Sequence, residues 1–328
     1  LLLASTAPKS YAYNPQAKKF LQLAEDQLKV ENDLLTIKYA SLAIELDPNL
    51  LRAYILRSYA YNHRRRWDKS IEDANKALRI DPKCADALVL RGKSGYLSDT
   101  NSEDALKDIE KGVKIDPKVQ DGYYLLGVAY TAKEEYNKAI ECFAKAEKLN
   151  PKDPQIYQFR SGTYSMIGRH DLALNDLNTL IKLRPHNDEH LVARAGVYKL
   201  MKQYDNAIAD YTRALVLKPT EYPILMQRGE LYSRLGKHAD AISDYSKAIA
   251  RNSFDEDLYL RRGKEYHATK QYDKAIADYN EAIDISPEYA AAFRARADAF
   301  TAQGKPDKAA KDRNKVREIG KQPAEKKI

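Results

Sequence analysis

Cysteine, glycine and proline are scarce in this sequence, and each scarcity closes a possibility. The two cysteines, Cys84 and Cys142, form no CxxC or zinc spacing, so a disulfide framework is excluded. Thirteen glycines and thirteen prolines in 328 residues leave little room for long loops. No apolar stretch approaches the roughly 20 residues that a membrane-spanning helix needs. A charged fraction of 31% and a mean hydropathy of −0.65 also argue against a membrane-embedded chain. A glycine-rich phosphate loop, a nucleophile elbow and an HExxH motif are all missing. The expectation is therefore no catalytic residue, no metal and no cofactor: a protein that is not an enzyme.

The charge that is present is unevenly placed. Of the net +8, six charges fall in residues 290–328, which carry eleven basic and five acidic side chains. The body of the chain is nearly neutral. The beginning, Leu1-Leu2-Leu3-Ala4-Ser5 and on to Ser10-Tyr11-Ala12, reads as the end of a signal peptide's apolar region with a small-x-small cleavage site after Ala12. An exported protein is expected on that reading; a cytoplasmic one is the alternative.

The prolines are placed, not scattered. Pro48, Pro82, Pro117, Pro151, Pro185, Pro219 and Pro287 are spaced by 34 residues, with one step of 35 and one of 68 that skips Ser253. A period in this range signals a stack of supersecondary units. Aligned on the prolines, eight repeats start at Ala17, Leu51, Ala85, Gln120, Pro154, Asp188, Tyr222 and Glu256, with a degenerate ninth at Ala290. Each half-repeat carries apolar and small residues at helical spacing, which predicts two amphipathic helices. Small residues at positions 8 and 20, such as Gly229 with Ala241, let the pair pack closely. The proline ends the second helix because it cannot donate the next hydrogen bond. One hairpin cannot bury both faces, so the repeats must stack.

Other columns of the frame are equally regular. Position 11 reads Tyr61, Tyr130, Tyr164, Tyr198, Tyr232 and Tyr266, and we read these tyrosines as packing sites. Position 7 is arginine in seven units (Arg57, Arg91, Arg160, Arg194, Arg228, Arg262, Arg296), and position 23 is aspartate in the same seven. The two exceptions lose both members together, as Leu23 with Tyr39 and Leu126 with Cys142. An ion pair across each hairpin is the simplest account. Gly95–Asp104 departs from the pattern: it holds the one-residue insertion, lacks the usual aromatic at the inter-helix turn, and is expected to be an irregular joint.

The repeat from Gln120, with Tyr123, Leu126-Gly127, Tyr130, Ala139, Phe143, Ala146 and Pro151, resembles the tetratricopeptide repeat (TPR) family, as does the repeat from Glu256. The resemblance covers about residues 17–320. It implies an all-α chain, a right-handed superhelical α-solenoid of tandem helix–turn–helix repeats. The expected organisation is an N-terminal tail over 1–16, eight repeats over 17–289, a degenerate capping repeat over 290–320 and a basic tail over 321–328. The resemblance further implies a scaffold that binds a peptide or partner protein in a groove lined by first helices, at positions 2, 5, 9, 12 and 13. In the middle units the expected contacts are Tyr124, Val128, Gln155, Gln158, Gly162 and Met166. Glu189, Val192, Gly196, Lys199 and Leu200 follow, then Met226, Glu230 and Arg234. The chaperone-tail clamp of the family, Lys at position 5 with Asn at position 9, is missing from every repeat. So is the asparagine ladder of its sugar-transferase arrays.

Three further features have competing readings. His186-Asn187-Asp188-Glu189-His190 matches H-x-x-E-H, but it crosses a turn between repeats, so its histidines would not share a helical face. The run Arg64–Arg66 and the basic C-terminal tail offer an alternative function as a nucleic-acid or anionic-surface binder. A solvated turn and a polar terminal cap are the plainer readings. A regulatory arm of a multiprotein enzyme complex is a third possibility for the whole chain.

Overall fold

The computed structural model describes residues 14–98, 102–119 and 121–320. The proposed cleavage after Ala12, the basic tail over 321–328 and the centre of the irregular joint, 99–101, lie outside the described residues. Eighteen α-helices and no strands occur among those described. They alternate as first and second helices of hairpins. The first four hairpins are α1 (Pro15–Lys29) with α2 (Asp33–Leu46), α3 (Leu51–His63) with α4 (Trp67–Ile80), α5 (Ala85–Leu97) with α6 (Ser102–Ile115), and α7 (Gly122–Ala132) with α8 (Tyr136–Leu149). Next in the chain come α9 (Pro154–Met166) and α10 (His170–Leu183), followed by the hairpins of α11 (Asp188–Leu200) with α12 (Tyr204–Leu217) and α13 (Tyr222–Arg234) with α14 (His238–Ile249). The last are α15 (Glu256–Ala268) with α16 (Tyr272–Ile285) and α17 (Ala290–Ala302) with α18 (Pro306–Ile319). The chain divides at Thr163/Tyr164 into two compact units.

One local device makes most of the hairpins. Their turns have three residues, and the middle one is left-handed: Glu31, Arg65, Glu134, Lys202 and Lys270 at φ 56–61°, or Gly168, Gly236 and Gly304. The N–H after it bonds back to the carbonyl at position 11, as Arg66 to Tyr61 at 2.9 Å and Gln203 to Tyr198 at 2.8 Å. This is the Schellman arrangement, which satisfies the carbonyls left over at a helix end. Arg64–Arg66 is one such turn, exposed to solvent, with Arg66 3.8 Å from Asp68. Between α5 and α6 the connection is one residue longer, which is where the frame gains its extra residue.

Packing within a hairpin is set by positions 8 and 24. Phe143, Tyr211, Tyr245 and Tyr279 are fully buried at position 24. A Cβ on Gly127, Gly229 or Gly263 at position 8 would come 2.6–2.9 Å from the facing ring. Within each unit, a second helix then packs on the next first helix: α2 on α3 and α4 on α5 in the first, α12 on α13 and α14 on α15 in the second.

The Arg–Asp pair is present as a three-way joint. Arg228 donates from Nε and Nη2 to both oxygens of Asp244, at 2.8 and 2.7 Å, and from Nη1 to Thr212 Oγ1 of the preceding repeat at 2.8 Å. Arg57, Arg91, Arg194, Arg262 and Arg296 do the same, with Ser41, Asn75, Asn178, Ser246 and Asn280 as third partners. The guanidinium therefore ties its own hairpin together and ties that hairpin to the one before it. Position 25 of the fourth repeat is Ala144, which has no acceptor, and Arg160 instead donates from Nη1 to Glu147 at 2.6 Å. That hydrogen bond holds the Glu147 carboxyl below its ordinary range.

Candidate binding faces of the first helices

Positions 2, 5 and 9 of the first helices are not equivalent: position 5 is often core, with Ile55, Val89 and Leu260 buried in clusters that include second-helix residues, whereas positions 2 and 9 reach neighbouring repeats. What they do depends on the pairing of position 9 in one repeat with position 2 in the next. In the first unit, Arg52 Nε donates to Glu25 at 3.1 Å. Further along, Lys93 Nζ lies 2.8 Å from Asp121 Oδ2, and the Tyr59 hydroxyl donates to the same oxygen at 3.4 Å. Asp121 sits at φ 60°, immediately before the start of α7 at Gly122. Burial, with Asp121 and Asp86 nearby, holds the Tyr59 phenol protonated far above its usual range. Burial also raises the Asp86 carboxyl.

The sequence-chosen residues of the first unit divide by burial. Tyr124 is buried, edge-on to Phe159 with ring centroids 5.6 Å apart, and Val128 is half-buried against the same core. Gln155, Gln158 and Gly162 are exposed, and a Cβ added to Gly162 meets nothing within 4 Å. Phe159, 40% exposed, was not among the sequence choices because position 6 is not expected on the groove face.

In the second unit, Met166 and Leu200 are 67% and 61% exposed, Glu189 is exposed, and a Cβ added to Gly196 again meets nothing within 4 Å. Val192 and Met226 are half-buried, each against a core cluster, and Lys199 is half-buried. Glu230 accepts from Arg234 at 2.9 Å and lies 3.9 Å from Arg261, which in turn donates to Asp257 at 2.5 Å. Tyr289 donates to Asp257 at 3.1 Å. Beside this network Glu265, buried at a position where every repeat but the first (Asp26) otherwise carries a small or apolar residue, accepts from Ser233 at 2.6 Å and faces His238 Nδ1 at 2.7 Å. Arg261 and Glu265 were not singled out in the sequence. The available signal was a charged residue in a column that is otherwise mostly apolar or small.

The H-x-x-E-H segment is built as a turn and a helix start. Asn187 caps α11 by accepting from Glu189 N at 2.8 Å, and Lys218 pairs with Asp188 at 3.0 Å. His186 is exposed in the turn; His190 is buried within the helix, and burial depresses its pKa. Among the described residues, no group of three His, Cys, Asp or Glu side chains could hold a metal ion. No described helix is long and apolar enough to cross a membrane.

Models of the tetratricopeptide repeat match residues 51–84, 191–221 and 222–255, and 121–153, and a TPR-repeat model matches 263–304. Together they take in more than half of the chain. No curated protein matches by sequence. Among solved structures, the crystal structure of MamA protein aligns over 53% of this chain and 96% of its own, at 25% identity and a TM-score of 0.50. A tetratricopeptide repeat protein from Parabacteroides merdae covers 72% of this chain and 93% of its own, at 21% identity and a TM-score of 0.52. The Cut9–Hcn1 hetero-tetramer of APC/C covers 85% of this chain, which spans 55% of that one, at 20% identity and a TM-score of 0.51. The last two are likenesses of fold alone.

Proposed function

This chain belongs to the tetratricopeptide repeat family, and from that premise we propose that it is a non-enzymatic scaffold holding a peptide or partner protein against its first helices. Repeat proteins of this kind are generally scaffolds without catalytic chemistry. The observation that carries the reading is the contrast at position 9. Glu25, Lys93 and Glu230 are engaged by side chains of the chain itself, whereas Gly162 and Gly196 leave open space. A ligand backbone can approach a glycine more closely than any other residue. Beside Gly196, exposed Leu200 offers apolar contact, and Glu189, Lys199 and Arg234 offer polar contacts at the rim.

The test is affinity capture with crosslinking, using the full chain and variants Gly162→Arg and Gly196→Arg. The added side chains meet no packed atom at their Cβ, and arginine is the better helix former, so both variants should melt at or slightly above the parent. Loss of the captured partner in either variant supports the reading. Undiminished capture by both would place the partner on another surface.

A further inference from the structure

The third repeat lacks a ring that its neighbours have. Position 11 is aromatic in every other unit from the second to the ninth, ending with Phe300, but is Gly95 in the third. That ring has a defined place. Tyr198, Tyr232 and Tyr266 lie under the guanidinium groups of Arg194, Arg228 and Arg262 at 5.7–5.9 Å. Lys69, Lys138, Lys274 and Lys308 approach the rings of Tyr61, Tyr130, Tyr266 and Phe300 at 5.4–5.6 Å. A π-face attracts a cation, most strongly where water is excluded.

The third repeat keeps the cation and omits the ring. Arg91 holds Asp108 and Asn75 as its counterparts hold theirs, yet its side chain is 33% exposed against 13–20% for the Arg57, Arg194, Arg228, Arg262 and Arg296 side chains. Among the described residues, no ring lies over it. Position 4, which supplies a second ring in several repeats, is Leu88 here. Tyr96 does not fill the gap, because it packs instead against the cluster of Val89, Leu106 and Ile109. An open recess of about 460 Å³ results, lined by Ile71, Arg91, Gly95, Asp104, Ala105 and Lys107 with Asp108.

We propose that this recess is a docking site for one aromatic side chain, tyrosine or phenylalanine, presented by a partner protein. The ring would take the place that Tyr198 or Tyr232 takes in its own repeat, with one face on Arg91. The recess opens to solvent, whereas sites for free small molecules enclose most of the ligand; a ring alone therefore binds it weakly but saturably, and a partner adds affinity through contacts made elsewhere. Position 11 lies half a helical turn from positions 2 and 9, so this site is separate from the first-helix face and does not depend on it.

The full chain, labelled with ¹⁵N-glycine, would be titrated with p-cresol and with a blocked Gly-Gly-Tyr-Gly-Gly peptide. The Gly95 and Gly92 amide signals should shift and saturate with both ligands, and less tightly with cyclohexylalanine in place of tyrosine. A Cβ at Gly95 would lie 3.4 Å from the Ala105 methyl, so Gly95→Tyr can place a ring there. That variant should melt above the parent and lose the ligand-induced shift at Gly92. No saturable shift, a shift that survives Gly95→Tyr, or a variant melting below the parent would each overturn the proposal. Saturation by p-cresol with none by the peptide would overturn it in favour of a free aromatic molecule.

Discussion

Gly196 and Gly263 stand one residue apart in the repeat frame, at positions 9 and 8, and face opposite surroundings. A Cβ on Gly196 enters open space, whereas one on Gly263 comes within 2.6 Å of the Tyr279 ring and 3.2 Å of the Asp278 Cβ. Alanine at Gly196 should therefore stabilise the chain by about 1 kcal/mol through helix propensity alone. At Gly263 the same substitution should cost about 1–3 kcal/mol, because a buried tyrosine must leave its rotamer. Urea denaturation of the two variants decides it, and equal effects would contradict the packing described. The frame anticipated the close approach at Gly263. It also placed Gly162 and Gly196 on the exposed side, but it had no means of telling that Tyr124 turns inward on Phe159 while Met166 and Leu200 turn out.

At the scale of the helix pair, the arginine joint is the main polar tie. Asp73, Asp210, Asp244, Asp278 and Asp312 are nearly inaccessible, with side chains 3–8% exposed, and each receives two hydrogen bonds from one guanidinium. Removing one partner strands a buried charge, so Arg228→Leu and Asp244→Leu should each cost about 3–5 kcal/mol. The double variant should cost clearly less than the two together. Additive losses in that cycle would show that the two side chains are not coupled. The pairing across the hairpin was legible from columns 7 and 23, since both members disappear together at Leu126 and Cys142. The third bond, from Nη1 to position 25 of the preceding repeat, was not drawn from the sequence. Its signal, short polar side chains at position 25 from Ser41 to Asn280 in every repeat but those with Glu110 and Ala144, has meaning only once neighbouring repeats are stacked.

At the scale of the whole chain, a stack of repeats needs a polar terminal face to stay soluble, and we propose that the ninth repeat supplies one. α17 covers Leu260, Tyr279 and Ala282 with Ala292 and Ala299, while α18 turns Lys308, Lys311 and Arg313 to solvent. A chain truncated after Glu288 should expose that cluster, bind an apolar dye and self-associate in light scattering. A truncated chain that stayed monomeric and dye-free would mean that α17 and α18 are not the cap. The sequence by itself determined the period, the hairpin and the arginine–aspartate pair. Each of these rests on contacts between residues at a fixed short spacing, repeated often enough to be seen. Only the tertiary structure decided which first-helix positions are occupied and which are open. Tyr59 and Asp121, the latter left-handed at φ 60°, meet across 62 residues. The recess at Gly95 is likewise a property of the stack, visible as a missing ring only where Arg91 is left uncovered.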